Sequence, residues 1–234
     1  MSNAAEDISS PAPPERVVVQ DPASPAKTVV ERQEGVLDGE ALVYGSNGKL
    51  TLRAHYRDDK LDGPTLCYDA DGELIQKSLY RAGLLEGETI IYDRGQIQMV
   101  MRYVAGKREG DAVVYNAGII SSRLIFMDDK LHGRCIWYGP EGAMAKVSEF
   151  AEGKEEGPTL LYFADGTVQE RATYRGGVLE GEVLSYRPDG TLQKRTLYRA
   201  GRMDGQPQEF DESGKAKGGE NEESGWFSRI RGRK

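Results

Sequence analysis

The side chains that most often carry catalysis are scarce in this chain and lie far apart. His55 and His132 are the only histidines, and Cys67 and Cys135 are the only cysteines. The sequence holds neither the phosphate-binding pattern G-x-x-x-x-G-K-[ST] nor the nucleophile pattern G-x-S-x-G. We therefore predict no catalytic residue, no metal and no cofactor, and we expect that the protein is not an enzyme.

Carboxylates are abundant, but they recur at a fixed place in a repeat. Glycines open the repeat unit at steps of 23 or 24 residues: Gly39, Gly63, Gly87, Gly110, Gly133, Gly157, Gly181 and Gly205. An acidic residue precedes all but one of them, at Asp38, Asp62, Glu86, Glu109, Glu156, Glu180 and Asp204, and His132 is the exception. Because these carboxylates repeat, they do not indicate a unique acid–base pair.

Aromatic residues follow the same repeat at two positions. The first lies five residues after each opening glycine: Tyr44, Tyr68, Tyr92, Tyr115, Tyr138, Tyr162, Tyr186 and Phe210. The second lies seven residues before it: Tyr56, Tyr80, Tyr103, Phe126, Phe150, Tyr174 and Tyr198. All 12 tyrosines fall on these two positions, and a period of this length indicates a repeat array.

Each unit reads as two strands joined by a tight turn. Leu50–Tyr56 and Leu192–Tyr198 alternate in character at period two, which predicts one face with the aromatic ladder and one face with charge. Turns such as Asp69–Gly72, within a unit, predict a glycine at positive φ. In the link between units, Asp59 and Asp129 stand where other units have glycine, and aspartate tolerates a left-handed backbone. The predicted fold is all-β, an elongated array of about eight antiparallel hairpins in a single twisted sheet.

Changes in composition along the chain predict the limits of the domains. Residues 1–27 are rich in proline and predict a disordered tail, although Val17–Val19 could form an edge strand. Residues 28–214 form the repeat domain, which begins with a half unit in which Arg32 takes the aromatic position. Residues 215–234 predict a flexible tail in which Trp226 and the basic residues near Lys234 could touch an anionic membrane weakly.

Charge and hydropathy limit the classes of ligand and the compartment that we expect for this protein. The net charge of −7 argues against nucleic acid as a ligand. The sequence has no signal segment and no apolar run of membrane-spanning length, so we expect a cytoplasmic protein, or a periplasmic one if a signal peptide was removed. Strand spacing separates Cys67 from Cys135 by far more than a disulfide allows, so both are expected to be packing residues.

The spacing Y-x-x-G-x-x-x-G-x-x-x-x-Y, as in Tyr80–Tyr92, Tyr174–Tyr186 and Tyr198–Phe210, resembles MORN repeats, and the added x-x-x-G-x-L is similar to the bacterial variant of YwqK-type proteins. The resemblance covers residues 28–214. It implies a string of β-hairpins that binds or scaffolds other molecules. For the YwqK-type group it implies an antitoxin or immunity protein that binds and neutralises a cognate toxin.

Two surfaces are candidate partner-binding sites. The repeated carboxylates would form an acidic ridge that docks a basic partner, or would simply be solvated turn residues. The aromatic ladder would supply binding anchors, or would be the core. The predicted contact residues are Trp137, Tyr138, Tyr92, Tyr115, Tyr162, Asp62, Glu86, Glu109, Glu156 and Glu180.

Two other functions stay open. A scaffold or membrane-associated adaptor would use the array to organise a complex. A carbohydrate- or peptide-binding protein would use the tyrosines, although no specific motif supports it. The oligomeric state is open as well, because strand edges can pair between chains.

Overall fold

The computed structural model describes residues 13–20 and 22–217. This part of the chain is built from β-strands and turns and contains no helix, which confirms the predicted all-β class. None of the described residues therefore forms a helix long and apolar enough to span a membrane. The strands fall into two compact units, unit 1 with residues 1–118 and 126–129, and unit 2 with residues 119–125 and 130–234.

Unit 1 contains eleven complete strands. They are β1 (Glu15–Gln20), β2 (Lys27–Gln33), β3 (Val36–Tyr44), β4 (Leu50–Arg57), β5 (Lys60–Leu61), β6 (Gly63–Tyr68), β7 (Leu74–Arg81), β8 (Leu84–Leu85), β9 (Gly87–Asp93), β10 (Gln96–Val104) and β11 (Lys107–Asn116). The residues of β12 (Ile119–Met127) are divided between the two units.

Unit 2 continues the pattern. Its remaining strands are β13 (Lys130–Leu131), β14 (Gly133–Tyr138), β15 (Met144–Ala151), β16 (Lys154–Tyr162), β17 (Val168–Arg175), β18 (Val178–Leu179), β19 (Gly181–Tyr186), β20 (Leu192–Arg199), β21 (Arg202–Met203) and β22 (Gln208–Glu209). In both units the long strands pair antiparallel with the next long strand along the chain.

Two kinds of turn connect the strands. Within a hairpin, the turn after β6 closes with the Gly72 N–H donating to the Asp69 carbonyl at 3.1 Å. Between hairpins, β4 and β5 are joined by Asp58 and Asp59 alone, with φ of 49° and 61°. Two consecutive positive φ values are typical of a type I′ turn, whose twist matches that of the strands. The left-handed backbone predicted at Asp59 is confirmed, and Asp129 has φ of 66°.

Each joint between hairpins also contains a bulge. Tyr56 pairs with Leu61, yet three residues earlier Arg53 pairs with Leu66, so β5 and β6 hold two more residues than the facing stretch of β4. The extra residues lie between Leu61 and Leu66, in the stretch that contains the opening Gly63, whose φ is 120°. A bulge with a left-handed residue favours glycine, which explains why glycine opens each unit.

The aspartate of the hairpin turn holds that turn closed. Asp165 accepts hydrogen bonds at its Oδ1 from the Thr167 hydroxyl (2.6 Å) and from the Thr167 N–H (2.9 Å). These bonds lower the pKa of Asp165, the hydroxyl bond having the larger effect. Asp189 with Thr191 and Asp211 with Ser213 repeat the arrangement.

The structure revises the predicted ends of the repeat domain. Within the predicted N-terminal tail, β1 pairs with β2 from Glu15 opposite Arg32 to Gln20 opposite Lys27, so the edge strand is the alternative that forms. At the other end, Phe210 bridges Ala216, and the Lys217 N–H donates to the Glu209 carbonyl at 2.8 Å. The last hairpin therefore extends past residue 214. The tails predicted for residues 1–12 and 218–234 lie outside the described residues.

Replacing an opening glycine is expected to destabilise unit 2 through the backbone alone. Gly181 has φ of 89°, and a Cβ built there meets nothing within 4 Å. The Gly181→Ala variant should lose about 1–2 kcal/mol of unfolding free energy because a Cβ disfavours the left-handed region. Gly139→Ala is the control, because Gly139 lies outside that region and its Cβ would meet only the Ala143 carbonyl at 3.8 Å. Urea unfolding measures both, and equal stability of the two variants would contradict the explanation.

Candidate functional site

Strand register divides the side chains between two faces of the sheet. Residues directly opposite each other on paired strands share a face, and neighbours along a strand alternate. In unit 1 we call the face that carries Ala54 and Ser78 face A and the face that carries Arg53 and Lys77 face B. In unit 2 the faces with the same repeat positions take the same names, face A with Ser148 and face B with Arg171. Each unit presents both faces, and within the described residues no second layer of secondary structure covers either face.

A row of small side chains is the best-buried part of face A. Its buried members are Ala41, Ala54, Thr65, Ser78, Thr89, Ala112, Cys135, Ser148, Thr159, Ala172 and Thr196. Ala54 is 1% exposed and Ser148 is 0% exposed. Hydroxyls within the row bond to one another, with 2.8 Å between Ser148 and Thr159. The larger side chains on either side of the row on face A must supply this cover.

The sequence pattern did not reveal this row, because the aromatic ladder was the predicted candidate for the core. Its signal was the recurrence of small residues two positions after the opening glycines, as at Ala41, Thr65 and Thr89. Such positions are conspicuous once strand pairing is known, because each lies opposite another small residue, as Thr65 lies opposite Ser78.

The prediction that a strand places its aromatic residue and its basic residue on opposite faces is confirmed for the second aromatic position, as at Tyr56 on face A and Arg53 on face B. The second aromatic position pairs with the opening glycine, as Tyr80 pairs with Gly63, which places it on face A. The first position lies five residues after that glycine, so alternation places Tyr68 on face B. The same register places the predicted contact residues Tyr92 and Tyr115 in unit 1, and Tyr138 and Tyr162 in unit 2, on face B.

Trp137 therefore lies on face A, opposite to its chain neighbour Tyr138. Its ring centroid is 6.0 Å from that of Phe150, and the Lys146 Nζ lies 5.2 Å from the indole centroid. Lys146 also donates to the Glu155 Oε1 at 2.7 Å, and the Ser148 hydroxyl donates to the same oxygen at 3.0 Å. We call these five residues the Trp137 cluster.

The Trp137 cluster breaks the repeat. Glu155 occupies a position that holds leucine in most other hairpins, as at Leu61, Leu85 and Leu179. The Glu155 side chain is only 19% exposed, and Lys146 neutralises it. Burial raises the pKa of the nearby Tyr174 phenol, and the negative charges of Glu155 and Glu170 raise it further. One point in unit 2 thus combines a large aromatic surface with a half-buried ion pair, which makes it a candidate binding site.

The acidic ridge has a structural function that its sequence position did not reveal. The carboxylate before an opening glycine accepts a hydrogen bond from a backbone N–H about 20 residues later, at the first left-handed residue of the next joint. Glu86 accepts from Ala105 at 3.0 Å, and Glu180 accepts from Ala200 at 2.8 Å. Further examples are Asp62 with Ala82, Glu109 with Asp128, and Glu156 with Gly176.

We call this contact the carboxylate latch. It joins the bulge of one hairpin to the turn of the next, so the predicted contact residues Asp62, Glu86, Glu109, Glu156 and Glu180 all serve the joints of the array. The site prediction for these residues stays a prediction, but at least one oxygen of each carboxylate is already engaged. At the joint where His132 takes the place of the carboxylate, the imidazole Nδ1 is buried and has no hydrogen-bond partner among the described residues.

The cysteines, the histidines and one groove are the other features considered as functional sites. Cys67 and Cys135 are free thiols, and burial raises the pKa of each. His55 is exposed on face B opposite Glu40. Among the described residues, no group of three or more His, Cys, Asp and Glu side chains could hold a metal ion. Unit 2 has a shallow groove of about 340 Å³, lined by Leu161, Glu170, Ser185, Tyr186 and Gln193 among others.

Comparison with known families agrees with the repeat. A family model described as a MORN repeat variant matches residues 37–58 and 179–200. Each match runs from just before an opening glycine to the next joint. No curated protein matches the chain. The chain is thus a MORN-like repeat protein built from β-hairpins.

Loss of a carboxylate latch is expected to destabilise the array. Glu180→Ala should reduce the unfolding free energy by about 1–2 kcal/mol, because the Ala200 N–H loses its acceptor. Glu180→Gln should retain most of the stability, since an amide oxygen still accepts. The control is Glu141→Ala, which removes an exposed carboxylate of the same unit that has no such bond. Urea unfolding is the measurement, and an unchanged midpoint for Glu180→Ala would contradict the role of the latch.

Proposed function

We propose that this chain is a non-catalytic, protein-binding repeat protein. The observation that carries the proposal is the sheet without a second layer among the described residues. Large apolar side chains on both faces are only half-buried, such as Leu42 and Tyr44 on face B, and Val43 and Leu52 on face A. Extended surfaces of this kind bind macromolecules, because clusters of aromatic and aliphatic side chains gain free energy when a partner covers them.

The structure offers little support for catalysis. The Trp137 cluster is an ion pair packed on aromatic rings, and the carboxylate latches are bonds to backbone. In the described part of the chain neither histidine donates to or accepts from a serine, threonine or cysteine side chain. The same geometry repeats from hairpin to hairpin, which is typical of a rigid surface. A rigid surface loses little conformational entropy on binding.

The finer proposal is an immunity or antitoxin role. A cognate toxin would be neutralised when one face of a hairpin unit occludes its active site or a required surface. The support is the resemblance to the bacterial MORN variant, together with the half-buried apolar side chains that the strands present on both faces. The family match itself extends only to the repeat.

The first test is affinity capture from the native host with the full chain as bait. The proposal expects one stoichiometric protein that arrests growth when expressed alone and is harmless when this chain is expressed with it. Recovery of lipid alone, or of many envelope components, would contradict the immunity role and would favour an adaptor.

Single alanine variants of Trp137 and Tyr138 then identify the face that binds. These neighbours lie on opposite faces, so a partner that covers one face should lose at least tenfold in affinity through one variant only. Isothermal titration calorimetry with the captured partner measures both. Each variant controls for the other, and equal losses or no loss in both would contradict binding through one face.

A further inference from the structure

One row of face B carries the basic residues of the predicted charged face and places them beside apolar side chains of neighbouring strands. In unit 1, successive paired strands bring together Leu42, Arg53, Leu66, Lys77, Ile90, Val100 and Val113, each directly opposite the next. In unit 2 the corresponding series is Arg123, Ile136, Val147, Leu160, Arg171, Leu184 and Arg195. We call each series the central row of face B.

Cations in the central row are flanked by aliphatic side chains. Lys77 lies between Leu66 and Ile90, and Arg171 lies between Leu160 and Leu184. Cations on the same row are about 10 Å apart when two strand spacings separate them. The row thus combines single cations with apolar surface on either side of them.

Two cations of the central row, Arg53 in unit 1 and Arg195 in unit 2, are neutralised within their own hairpin. Arg53 Nε lies 2.6 Å from Glu40 Oε1, and Arg195 Nη1 lies 3.6 Å from Glu182 Oε1. Both glutamates directly follow an opening glycine.

Lys77 and Arg171 lack this neutralisation. Proline replaces the glutamate in their hairpins, at Pro64 and Pro158. Both cations are exposed, and in the described part of the chain no carboxylate lies within ion-pair distance of either.

This pattern restricts what can cover face B. A purely apolar partner would bury an unpaired cation, which is costly. A second copy of the chain that used the same row would place cations against cations. Nucleic acid fits poorly, because aliphatic side chains separate the cations, which therefore form no continuous basic surface for a phosphate backbone.

We propose that face B of unit 2 binds an acidic protein segment, with a carboxylate opposite Arg171 and apolar side chains opposite the flanking Leu160 and Leu184. Tyr162, on the same face of the same hairpin, adds aromatic contact area. This inference rests on the proposed protein-binding function and names its partner chemistry. It reverses the charge expected from the sequence, because the acidic ridge is occupied by the carboxylate latch while the central row is open.

The probe is a fluorescent copolymer of glutamate and tyrosine, titrated with the full chain and followed by anisotropy. Arg171→Glu should weaken its binding at least tenfold. Lys194→Glu is the matched control, because it makes the same charge change in the same unit at an exposed lysine of face A. It should bind the copolymer as the wild type does. Equal urea midpoints show that both variants are folded.

Three results would overturn the inference. The wild type could fail to bind the copolymer, the two variants could lose affinity equally, or vesicles of phosphatidylcholine and phosphatidylserine could bind in preference to it. The last result would indicate a lipid surface as the ligand. A captured protein partner that binds the wild type and Arg171→Glu equally would also overturn it, while leaving the proposed protein-binding function intact.

Discussion

The joint between hairpins is the constraint on which the array depends. Two left-handed residues turn the chain, a glycine bulge offsets the register, and a carboxylate from the preceding hairpin accepts the turn N–H. Ala82, Ala105 and Ala200 all have φ near 49° at this place, a backbone that costs a non-glycine residue free energy. The bond to the carboxylate offsets part of that cost and fixes each hairpin against its neighbour. Regular joints keep equivalent residues on the same face, and only then can rows form across the strands.

Burial in this fold follows from the joints. Without a second layer among the described residues, most of the buried side chains are the small ones in the middle of face A, and most larger residues on both faces keep part of their surface exposed. A globular protein would place such residues in a core. Here they are available to a partner, and the departures from the repeat distinguish one hairpin from another. The Trp137 cluster does so on face A, and Pro64 with Lys77 and Pro158 with Arg171 do so on face B.

Much of the fold could be predicted because it is local. The period, the hairpins and the left-handed backbone at Asp59 and Asp129 follow from the conformational preferences of glycine and aspartate near a turn. The faces could not be predicted as readily, because Tyr68 and Tyr80 belong to different strands and their relation depends on the register across a turn. The carboxylate latch spans about 20 residues, so nothing in the local pattern separates it from a solvated acid. Trp137, Lys146 and Glu155 come into contact only after three strands pair. The sequence does show Glu155 at a position where most other hairpins have leucine.

Amide hydrogen exchange of Ala105 and Arg94 tests the central claim, that carboxylate latches fix the joints, most directly. Both residues have φ of 48° in left-handed turns of unit 1, and only Ala105 donates to a latch carboxylate, that of Glu86. The account predicts that the Ala105 amide exchanges much more slowly than the Arg94 amide, and that Glu86→Ala removes most of the difference. Equal exchange of the two amides in the wild type would contradict it.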